Sequence, residues 1–398
     1  MKRKGLLLLL TGISLMAILA VLPFMSACKA PTPEVKTLQI GGLFALTGPF
    51  SSAEATAAKS VQIAVEMYNE RGGLTIDGQK YMVEIVIEDM QSTVDGTVGA
   101  CNRLVYDKGI KFIVGGMGPF SAAAATVCEP AKVLRSTVYL SSMPGELGPD
   151  TPYCFSGGNS ILEYAVAGAK YIKQTYPDVK TLAEVQMNDG GIPFLHAQIE
   201  EIIPQYGFSL ASEVVGYPPE TIDYSPFVAK LIQLNPDAIF HIKAMPDNVG
   251  SILKGLRQSG WNKLYAASTD LAGSQIIGIS GEAAATNAFT LSPLLGAPGN
   301  PPIVDNYLER AVGYESGMPA FNAVWTMLEA IQVAQSLDPT VVRDTWEKLD
   351  TIETAYGTGL MGGQQTWGVN HAVCHPVPVQ LIDNGEVKFG AWIEVQIP

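Results

Sequence analysis

Several kinds of residue are scarce in this sequence, and each scarcity limits what the chain can do. Only 25 lysines and arginines stand against 38 aspartates and glutamates, and the formal net charge is −13. We expect no nucleic-acid partner, because phosphates require a basic face. With four histidines, acid–base catalysis lacks obvious groups, and the sequence contains no phosphate-binding loop ending in Gly-Lys-Ser/Thr. We therefore predict that the protein is not an enzyme and uses no cofactor.

Cysteine and metal-ligand patterns are also sparse. If Cys28 carries a modification, four of the five cysteines remain: Cys101, Cys128, Cys154 and Cys374. They can form disulfides in three connectivities that the sequence does not rank, or stay as buried free thiols. His371, Cys374 and His375 lie close together, but zinc sites need three or four ligands and the other histidines are distant in sequence, so we predict no metal. Residues 357–362 match a dinucleotide-binding glycine pattern that follows no clear strand.

Long apolar runs are missing except at the amino terminus. Three basic residues, at positions 2–4, precede an uncharged run over residues 5–27, which is typical of a secretory signal. The run ends in Met25-Ser26-Ala27-Cys28, which resembles the bacterial lipobox. We expect residues 1–27 to be removed, Cys28 to carry a lipid, and residues 28–37 to form an extended spacer. An uncleaved membrane anchor is the alternative, and both interpretations predict an exported, tethered protein at the periplasmic side or cell surface.

Beyond the spacer, short apolar runs alternate with amphipathic stretches. This alternation is typical of parallel strands connected by helices, and we predict an α/β fold with two Rossmann-like lobes, a hinge and a cleft between them. We expect lobe 1 to comprise residues 38–155 and 290–365, and lobe 2 residues 156–289 and 366–398. Two lobes joined by several crossings can close on a ligand.

The predicted elements follow this division. In lobe 1 we expect strands at 38–44, 81–88, 110–115 and 137–141, and helices at 53–69, 93–108 and 121–131. A Pro/Gly/Ser-rich crossing at 142–158 leads to lobe 2, with strands at 181–187, 210–215, 237–242 and 263–267 and helices at 162–176, 194–206, 226–234 and 247–259. Helices at 303–314 and 320–336 return to lobe 1. A hairpin at 377–382 and 387–395 turns at Asn384-Gly385.

From residue 38 to the carboxyl terminus the sequence resembles the type I periplasmic solute-binding proteins, in particular the leucine/isoleucine/valine-binding branch of ABC transporters. The order and spacing of the landmarks carry the resemblance rather than any single motif. The landmarks are Thr47-Gly48-Pro49, residues 69–73, Glu88-Asp89, residues 113–116 with Ser121, Asp223-Tyr224-Ser225, and residues 321–324. The resemblance implies that the protein closes around a small solute and presents it to a membrane permease.

Several lobe 1 residues are candidate ligand contacts. The loop 115–120 opens a helix, and backbone N–H groups at such an end bind carboxylates. By resemblance, Phe120, Ser121, Ser141, Ser142 and Met143 occupy the positions where the family holds an amino acid's carboxylate. For Ser121 a plain helix cap is the alternative.

On lobe 2 the resemblance places Asp270 where the family has an acid for the ligand's ammonium, although Asp270 can equally cap a helix. Aromatic positions of the family are missing, at Ala53 and in the segment 188–194. Phe50, Phe120, Phe194 and Met245 can rebuild an apolar wall, unless they are core residues. With Lys243 nearby, an aromatic or aliphatic carboxylate competes with a branched-chain amino acid as the ligand.

The expected function is therefore that of a lipid-anchored solute-binding protein of an ABC importer, whose partners are a small carboxylate-bearing solute, a permease and the membrane. A sensor of the same fold that signals through another protein is the first alternative, and an enzyme on a similar scaffold the second.

Overall fold

The computed structural model describes residues 34–140, 143–268, 273–291 and 298–398. The strands are β1 (Lys36–Phe44), β2 (Leu74–Ile76), β3 (Gln79–Asp89), β4 (Phe112–Gly115), β5 (Leu134–Ser136), β6 (Tyr139–Leu140), β7 (Cys154–Phe155), β8 (Asn159–Ser160), β9 (Thr181–Met187), β10 (Ser209–Leu210), β11 (Val215–Tyr217), β12 (Ala238–Ile242), β13 (Leu264–Ser268), β14 (Ala288–Leu291), β15 (Thr351–Thr354), β16 (Gly357–Gly362), β17 (Ala372–Cys374), β18 (Val377–Asp383) and β19 (Glu386–Ile393).

The helices are α1 (Ser51–Glu70), α2 (Val94–Asn102), α3 (Pro119–Cys128), α4 (Ile161–Thr175), α5 (Ile192–Ile202), α6 (Ser225–Leu234), α7 (Pro246–Gln258), α8 (Gly273–Ser280), α9 (Pro302–Arg310), α10 (Met318–Ala334), α11 (Pro339–Trp346) and α12 (Gln364–Trp367). None of the helices within the described ranges is both long and apolar enough to cross a membrane.

The first sheet, which defines lobe 1, has the strand order β2-β3-β1-β4-β5-β7. β1 pairs in parallel with both β3 and β4, and β2 is antiparallel to β3. The connection from β1 to β3 moves one way across the sheet and the later connections move the other way. Since such crossovers are right-handed, α1 covers one face and α2 and α3 cover the opposite face. Two separate apolar clusters follow this division.

The second sheet, which defines lobe 2, has the order β10-β9-β12-β13-β14-β18-β19, with β11 also paired to β9. β9, β12, β13 and β14 are parallel, whereas β18 and β19 form the antiparallel hairpin that the sequence predicted. Apolar clusters on both faces bury the sheet, one including residues of α4 and α5 and the other residues of α6, α7 and α8. The predicted α/β class with two lobes is confirmed.

Helices late in the chain pack on the first sheet. Val304 and Tyr307 of α9, Phe321 of α10 and Trp346 of α11 are buried in the same cluster as residues of β1 and β4. Full burial of a large apolar side chain stabilises the fold by about 2–3 kcal/mol, so α10 is held firmly to this sheet. The exact domain limits remain a proposal.

Several predicted elements differ from the structure. Of the strand predicted at 137–141, the described residues form only β6, which pairs with β8 outside the main sheet, and the main-sheet strand β5 lies before the predicted range. The strand predicted at 210–215 is also two short strands, each paired separately with β9. We predicted one helix to residue 108. In the structure the α-helix α2 ends at Asn102, and a π-helical turn over Arg103–Asp107 follows it directly.

The sequence patterns missed α11 and the sheet β15-β16-β17. The glycine-rich pattern at 357–362 is β16 itself, paired antiparallel to both neighbours, so it is a strand and not a phosphate-binding turn.

Candidate functional site

Each sheet contains a point where consecutive connections leave in opposite directions. In lobe 1 this point lies between β1 and β4, and in lobe 2 between β9 and β12. Loops diverge at the carboxyl ends of such strands and leave a crevice that binds ligands in open α/β sheets. The relevant loops are therefore residues 45–50 and 116–118 in lobe 1, and 188–191 and 243–245 in lobe 2.

The loop after β1 is fixed by Asp89, the last residue of β3. Its Oδ1 accepts the Leu46 N–H at 2.8 Å and the Thr47 N–H at 3.3 Å, and its Oδ2 accepts the Thr47 hydroxyl at 2.7 Å. Partial burial raises the pKa of Asp89, but hydrogen bonds from Thr47 and from backbone N–H groups outweigh it and hold the pKa below its usual value. Ser92 adds a hydrogen bond from the Phe50 N–H at 3.2 Å. This network holds Phe50 at the start of α1.

Two of the predicted aromatic contacts meet at the lobe 1 crevice. The rings of Phe50 and Phe120 are 5.7 Å apart and nearly perpendicular, at 77°. Phe50 is 42% exposed, whereas Phe120 is 8% exposed and sits in the first turn of α3. An edge-to-face pair of this kind adds about 1 kcal/mol beyond the burial of area. The pair forms an apolar surface between the ends of β1 and β4.

The amino end of α3 already holds an anion from the protein. The Glu146 carboxylate is fully buried and accepts the N–H of Gly118 at 2.5 Å and of Met143 at 2.7 Å. The Phe120 and Ser121 N–H groups donate to the carbonyls of Met117 and Gly118 within the turn. These backbone donors, which the sequence assigned to a ligand carboxylate, are therefore used internally. Sequence reasoning missed Glu146 because it stands in a segment interpreted only as a crossing.

Ser121 lies inside lobe 1. It is fully buried, and the Arg135 Nη1 donates to its carbonyl at 3.0 Å and to its Oγ at 3.3 Å. The cap position of α3 is Gly118, so Ser121 is not the cap that we considered as the alternative. Its assignment as a ligand contact stays a prediction, and its contacts favour a role in supporting α3.

An ion pair stands at the lobe 2 crevice. The Lys243 Nζ lies 2.6 Å from Asp189 Oδ2 and 2.7 Å from Asp189 Oδ1. This ion pair connects the loop 188–191 to the loop 243–245. Lys243 is 7% exposed and has a left-handed backbone with φ of +56°. The loop before α5 brings Asp189 into place through a turn in which Asp189 Oδ1 accepts the Gly191 N–H at 2.9 Å.

Met143 connects the two crevices. A Cβ placed on Gly191 would lie 3.4 Å from the Met143 Cγ and 2.8 Å from the Lys243 Nζ. Met143, which follows β6, therefore lies next to Gly191 in the loop that also carries Asp189 of the ion pair. A side chain larger than hydrogen at position 191 would displace Lys243.

The other predicted apolar contacts lie on the lobe 2 side. Phe194, in the first turn of α5, is 44% exposed, and Met245, just before α7, is 41% exposed. The Met245 N–H donates to Asn248 Oδ1 at 3.0 Å, which fixes the loop. Neither residue is a core residue, the alternative that the sequence left open. Ser141, Ser142, Asp270 and Cys28 lie outside the described residues.

A second buried carboxylate, Glu54, stands near the lobe 1 crevice in the first turn of α1. It is 9% exposed and hydrogen-bonded to the backbone of Ala45, which follows β1. Burial raises the pKa of Glu54 to about 7, and the hydrogen bond to Ala45 opposes this shift.

The histidines near the carboxyl terminus have separate structural partners. The His371 Nδ1–H donates to the Cys154 carbonyl at 3.0 Å and the His371 ring stacks on Phe155, while the His375 Nδ1 lies 3.0 Å from the Glu163 carboxyl group. Within the described residues no group of three His, Cys, Asp or Glu side chains is arranged to hold a metal.

Comparison with known proteins agrees with this geometry. A family model described as "Periplasmic binding protein" matches residues 37–386. Among solved structures, the leucine binding protein LivK from Thermotoga maritima is 20% identical with a TM-score of 0.69, and the match covers 90% of this chain and 99% of that chain.

Two structures with bound ligands are also similar. LivJ from Streptococcus pneumoniae, in complex with isoleucine, is 18% identical with a TM-score of 0.69 and coverages of 90% and 99%. A solute binding protein of an ABC transporter from Rhodopseudomonas palustris BisB5, in complex with 3,4-dihydroxybenzoic acid, is 18% identical with a TM-score of 0.67 and coverages of 90% and 97%. At these identities the likenesses establish the fold.

Proposed function

Proceeding from the fact that this chain belongs to the periplasmic binding protein family, we propose that it is the solute-binding subunit of an ABC importer. The observation that carries the proposal is that Met143 lies next to Gly191, because this nearness brings the crevices of the two lobes together. A solute held there touches both lobes and stabilises the closed form, which is the state that a permease can distinguish. Binding and release need no chemical step, so we propose no enzymatic activity.

The proposed ligand is a small organic acid: an amino acid or an aromatic or aliphatic carboxylate. Phe50, Phe120 and Met143 provide apolar surface from lobe 1, and Phe194 and Met245 provide it from lobe 2. Lys243 supplies a hydrogen-bond donor for the carboxylate, since an ammonium has three N–H groups and Asp189 accepts at most two of them. Relatives of this fold bind isoleucine and 3,4-dihydroxybenzoic acid, which span this range.

We propose that Ser141, Ser142 and Asp270 complete the site. Ser121 supports α3 through its hydrogen bonds with Arg135. Asp270 is proposed to hold the ammonium of an amino acid. It therefore separates the two ligand classes, because a simple carboxylate has no group for it to bind.

A ligand panel tests the proposal directly. Thermal shift and calorimetry with branched-chain amino acids, aromatic acids, aliphatic acids and the matching amides should identify a stabilising carboxylate, because a ligand bound only by the folded state raises the melting temperature. Lys243→Met should weaken that ligand at least tenfold, while Lys230→Met, in an exposed ion pair with Glu213, should not change its affinity. Asp270→Asn should weaken an amino acid strongly and leave a simple acid nearly unchanged.

The outcome that contradicts the ligand class is stabilisation by the amides as strong as by the acids, or equal affinity in Lys243→Met. Transport is distinguished from sensing in cells: deletion of the gene should abolish uptake of the identified solute, whereas loss of a sensor would abolish induction or taxis and leave uptake unchanged.

We also propose Cys28 as the lipid attachment site. The mass of the mature amino-terminal peptide tests it, and an unmodified Cys28 in the membrane fraction would contradict it.

A further inference from the structure

The chain passes between the lobes at two neighbouring places that are hydrogen-bonded to each other. Residues 156–160, the first crossing, lead from β7 in lobe 1 to α4 in lobe 2, and residues 375–376, the last crossing, lead from β17 to β18. Where the two segments run in parallel, the Ser156 N–H donates to the His371 carbonyl at 2.9 Å and the Val373 N–H donates to the Ser156 carbonyl at 3.0 Å. Lobes of this kind change their angle through rotation in such connecting segments, so contacts between the crossings restrict it.

Glu163 joins the ends of both crossings. It is fully buried in the first turn of α4. Its Oε2 accepts the Ser160 N–H at the end of the first crossing at 3.3 Å, and its Oε1 accepts the His375 N–H in the last crossing at 2.7 Å. One carboxyl group therefore fastens the two crossings to each other and to α4, whose residues belong to the core of lobe 2.

The His375 ring extends this contact toward lobe 1. It is 1% exposed, and its Nδ1 lies 3.0 Å from the Glu163 Oε1. The ring centroids of His375 and Tyr356 are 4.5 Å apart, and Tyr356 belongs to the buried cluster of lobe 1. Within the described ranges no other side chain is hydrogen-bonded to this imidazole. Glu163 and His375 thus lie between the cores of the two lobes.

The pair is uncharged over a wide pH range. Burial raises the pKa of Glu163 to about 8, although hydrogen bonds from backbone N–H groups oppose the shift, and burial lowers the pKa of His375 to about 4. The other titratable groups next to the pair, in sequence or in space, are Tyr164, Tyr356 and Cys374. Burial raises the pKa of the Cys374 thiol. Between about pH 4 and about pH 8 the carboxyl group keeps its proton and the imidazole is neutral, so the contact buries no net charge.

We propose that Glu163 and His375 are positioning residues for solute binding, because they lock the first and last crossings together and thereby restrict the angle between the lobes. The inference rests on the proposed function, in which the lobes close around a solute. Without the lock, the solute-free protein samples more lobe orientations and a smaller fraction of the molecules is competent to bind. The apparent affinity falls in proportion to that fraction.

Substitutions at position 163 test the lock through solute affinity. Calorimetry uses isoleucine and 3,4-dihydroxybenzoate as probes. Glu163→Ala should bind the active probe about tenfold or more weakly than the wild type does. Glu163→Gln should recover most of the affinity, because its amide oxygen accepts the His375 N–H and its side chain is uncharged like the protonated carboxyl group. Equal affinity of Glu163→Ala and the wild type overturns the proposal.

Glu184→Ala is the matched control. Glu184 is 2% exposed and its Oε2 lies 2.7 Å from the His196 Nδ1, but this buried pair joins β9 to α5 within lobe 2. Glu184→Ala should lower the melting temperature, as Glu163→Ala does, and yet keep the probe affinity of the wild type. A loss of affinity in Glu184→Ala as large as in Glu163→Ala would show a general effect of destabilisation and refute the positioning role.

Hydrogen exchange tests the lock without any solute. The amides of residues 143–147 and 243–249 lie on the two sides of the cleft, away from position 163. They should exchange several-fold faster in Glu163→Ala, because the cleft is open for a larger share of the time, and at the wild-type rate in Glu184→Ala. If neither probe binds, the ligand class of the proposed function is wrong, and the exchange rates still decide the inference: unchanged rates in Glu163→Ala contradict it.

A pH profile keeps the test decisive even if Glu163→Ala does not fold. Above about pH 8 the Glu163 carboxyl group ionises, and the locked contact then buries a charge that water hydrates when the lock opens. Because the locked form has the raised pKa, its stability relative to the open form is greatest at low pH and falls as the pH rises to about 8. The probe affinity of the wild type, divided by that of Glu163→Gln, should therefore fall several-fold from about pH 6 to about pH 9.

The comparison with Glu163→Gln removes the titration of the probe and of Glu54, because both proteins share them. Where no probe binds, the ratio of the exchange rates at residues 143–147 is measured over the same pH range. Parallel pH profiles of Glu163→Gln and the wild type would show that the carboxyl group does not act as a lock.

Discussion

At the scale of single residues, Glu54 shows how burial turns an ordinary side chain into a source of pH dependence. Its carboxyl group is 9% exposed, and burial raises its pKa from 4.5 to about 7. Between these two values the folded protein binds a proton that the unfolded chain releases. The free energy of unfolding therefore falls as the pH rises from 4.5 to 7 and is constant in this respect above that.

We expect Glu54→Gln to remove this slope. One unit of pKa corresponds to about 1.4 kcal/mol, so the variant should be more stable than the wild type by roughly 3 kcal/mol at pH 8 and about equal to it near pH 4.5. Urea unfolding at a series of pH values measures the difference. Glu66→Gln is the control, because Glu66 is exposed on the same helix. Parallel pH profiles of Glu54→Gln and the wild type would contradict the assignment.

At the scale of elements, the amino end of α3 shows that a helix end can be satisfied by its own chain. Glu146 brings a buried carboxylate to the Gly118 and Met143 N–H groups, where a helix end favours negative charge. The segment after β6 is thereby fixed against α3. Met143, which lies in this segment, is consequently positioned next to Gly191 across the cleft.

Glu146→Gln should destabilise the protein by about 1–3 kcal/mol, because an amide has one acceptor oxygen where the carboxylate used two, and a buried N–H loses its partner. It should also weaken ligand binding, because Met143 loses its support. Denaturant unfolding and calorimetry with the ligand found in the panel measure the two effects. Glu213→Gln, on the surface of lobe 2, serves as the control and should change neither. Equal stability of Glu146→Gln and the wild type would show that the carboxylate is not needed there.

At the scale of the whole molecule, Asn322 joins parts of the chain that are distant in sequence. This fully buried residue of α10 donates to the Gly157 carbonyl at 3.0 Å and accepts the Ala355 N–H at 2.8 Å. Gly157 lies on the first crossing between the lobes, and Ala355 lies between β15 and β16. The crossing is therefore anchored to lobe 1 by one amide.

Asn322→Ala should lower the free energy of unfolding by about 2 kcal/mol, because the Ala355 N–H is left buried without a partner, while Thr326 still donates to Gly157 at 3.2 Å. Asn370→Ala is a matched control: Asn370 is half-buried and its amide donates to the Glu347 carbonyl at 2.9 Å, which water can replace. Denaturant unfolding of both variants makes the comparison. A loss in Asn370→Ala as large as in Asn322→Ala would refute the special role of Asn322.

Much of the fold was predictable because its signals are local. The alternation of apolar runs and amphipathic stretches predicted β1, β3 and β4 of the first sheet, most strands of the second sheet and most of the helices, and Asn384-Gly385 predicted the hairpin between β18 and β19. Short elements failed where pairing depends on distant partners. β6 pairs with β8 rather than continuing β5, and β16 is a strand only because β15 and β17 lie on both sides of it.

The candidate site was predictable only in part. Phe50 and Phe120 were identified from the sequence, and the structure adds that their rings meet. The sequence could not reveal that Glu146 accepts the Gly118 N–H at the amino end of α3, because the two residues are 28 positions apart. Nor could it reveal that Asp189 forms an ion pair with Lys243, which is 54 positions away. It also could not show that Ser121 points toward Arg135.

The sequence by itself determined the class of fold and the kind of protein, because hydrophobic period and the order of short landmarks are properties of neighbouring residues. Only the tertiary structure decided which residues that are distant in sequence lie next to each other. Strand order and the direction of each crossover bring Glu146 to Gly118 and Met143 to Gly191. These contacts depend on how the chain returns to itself in space, which no local pattern records.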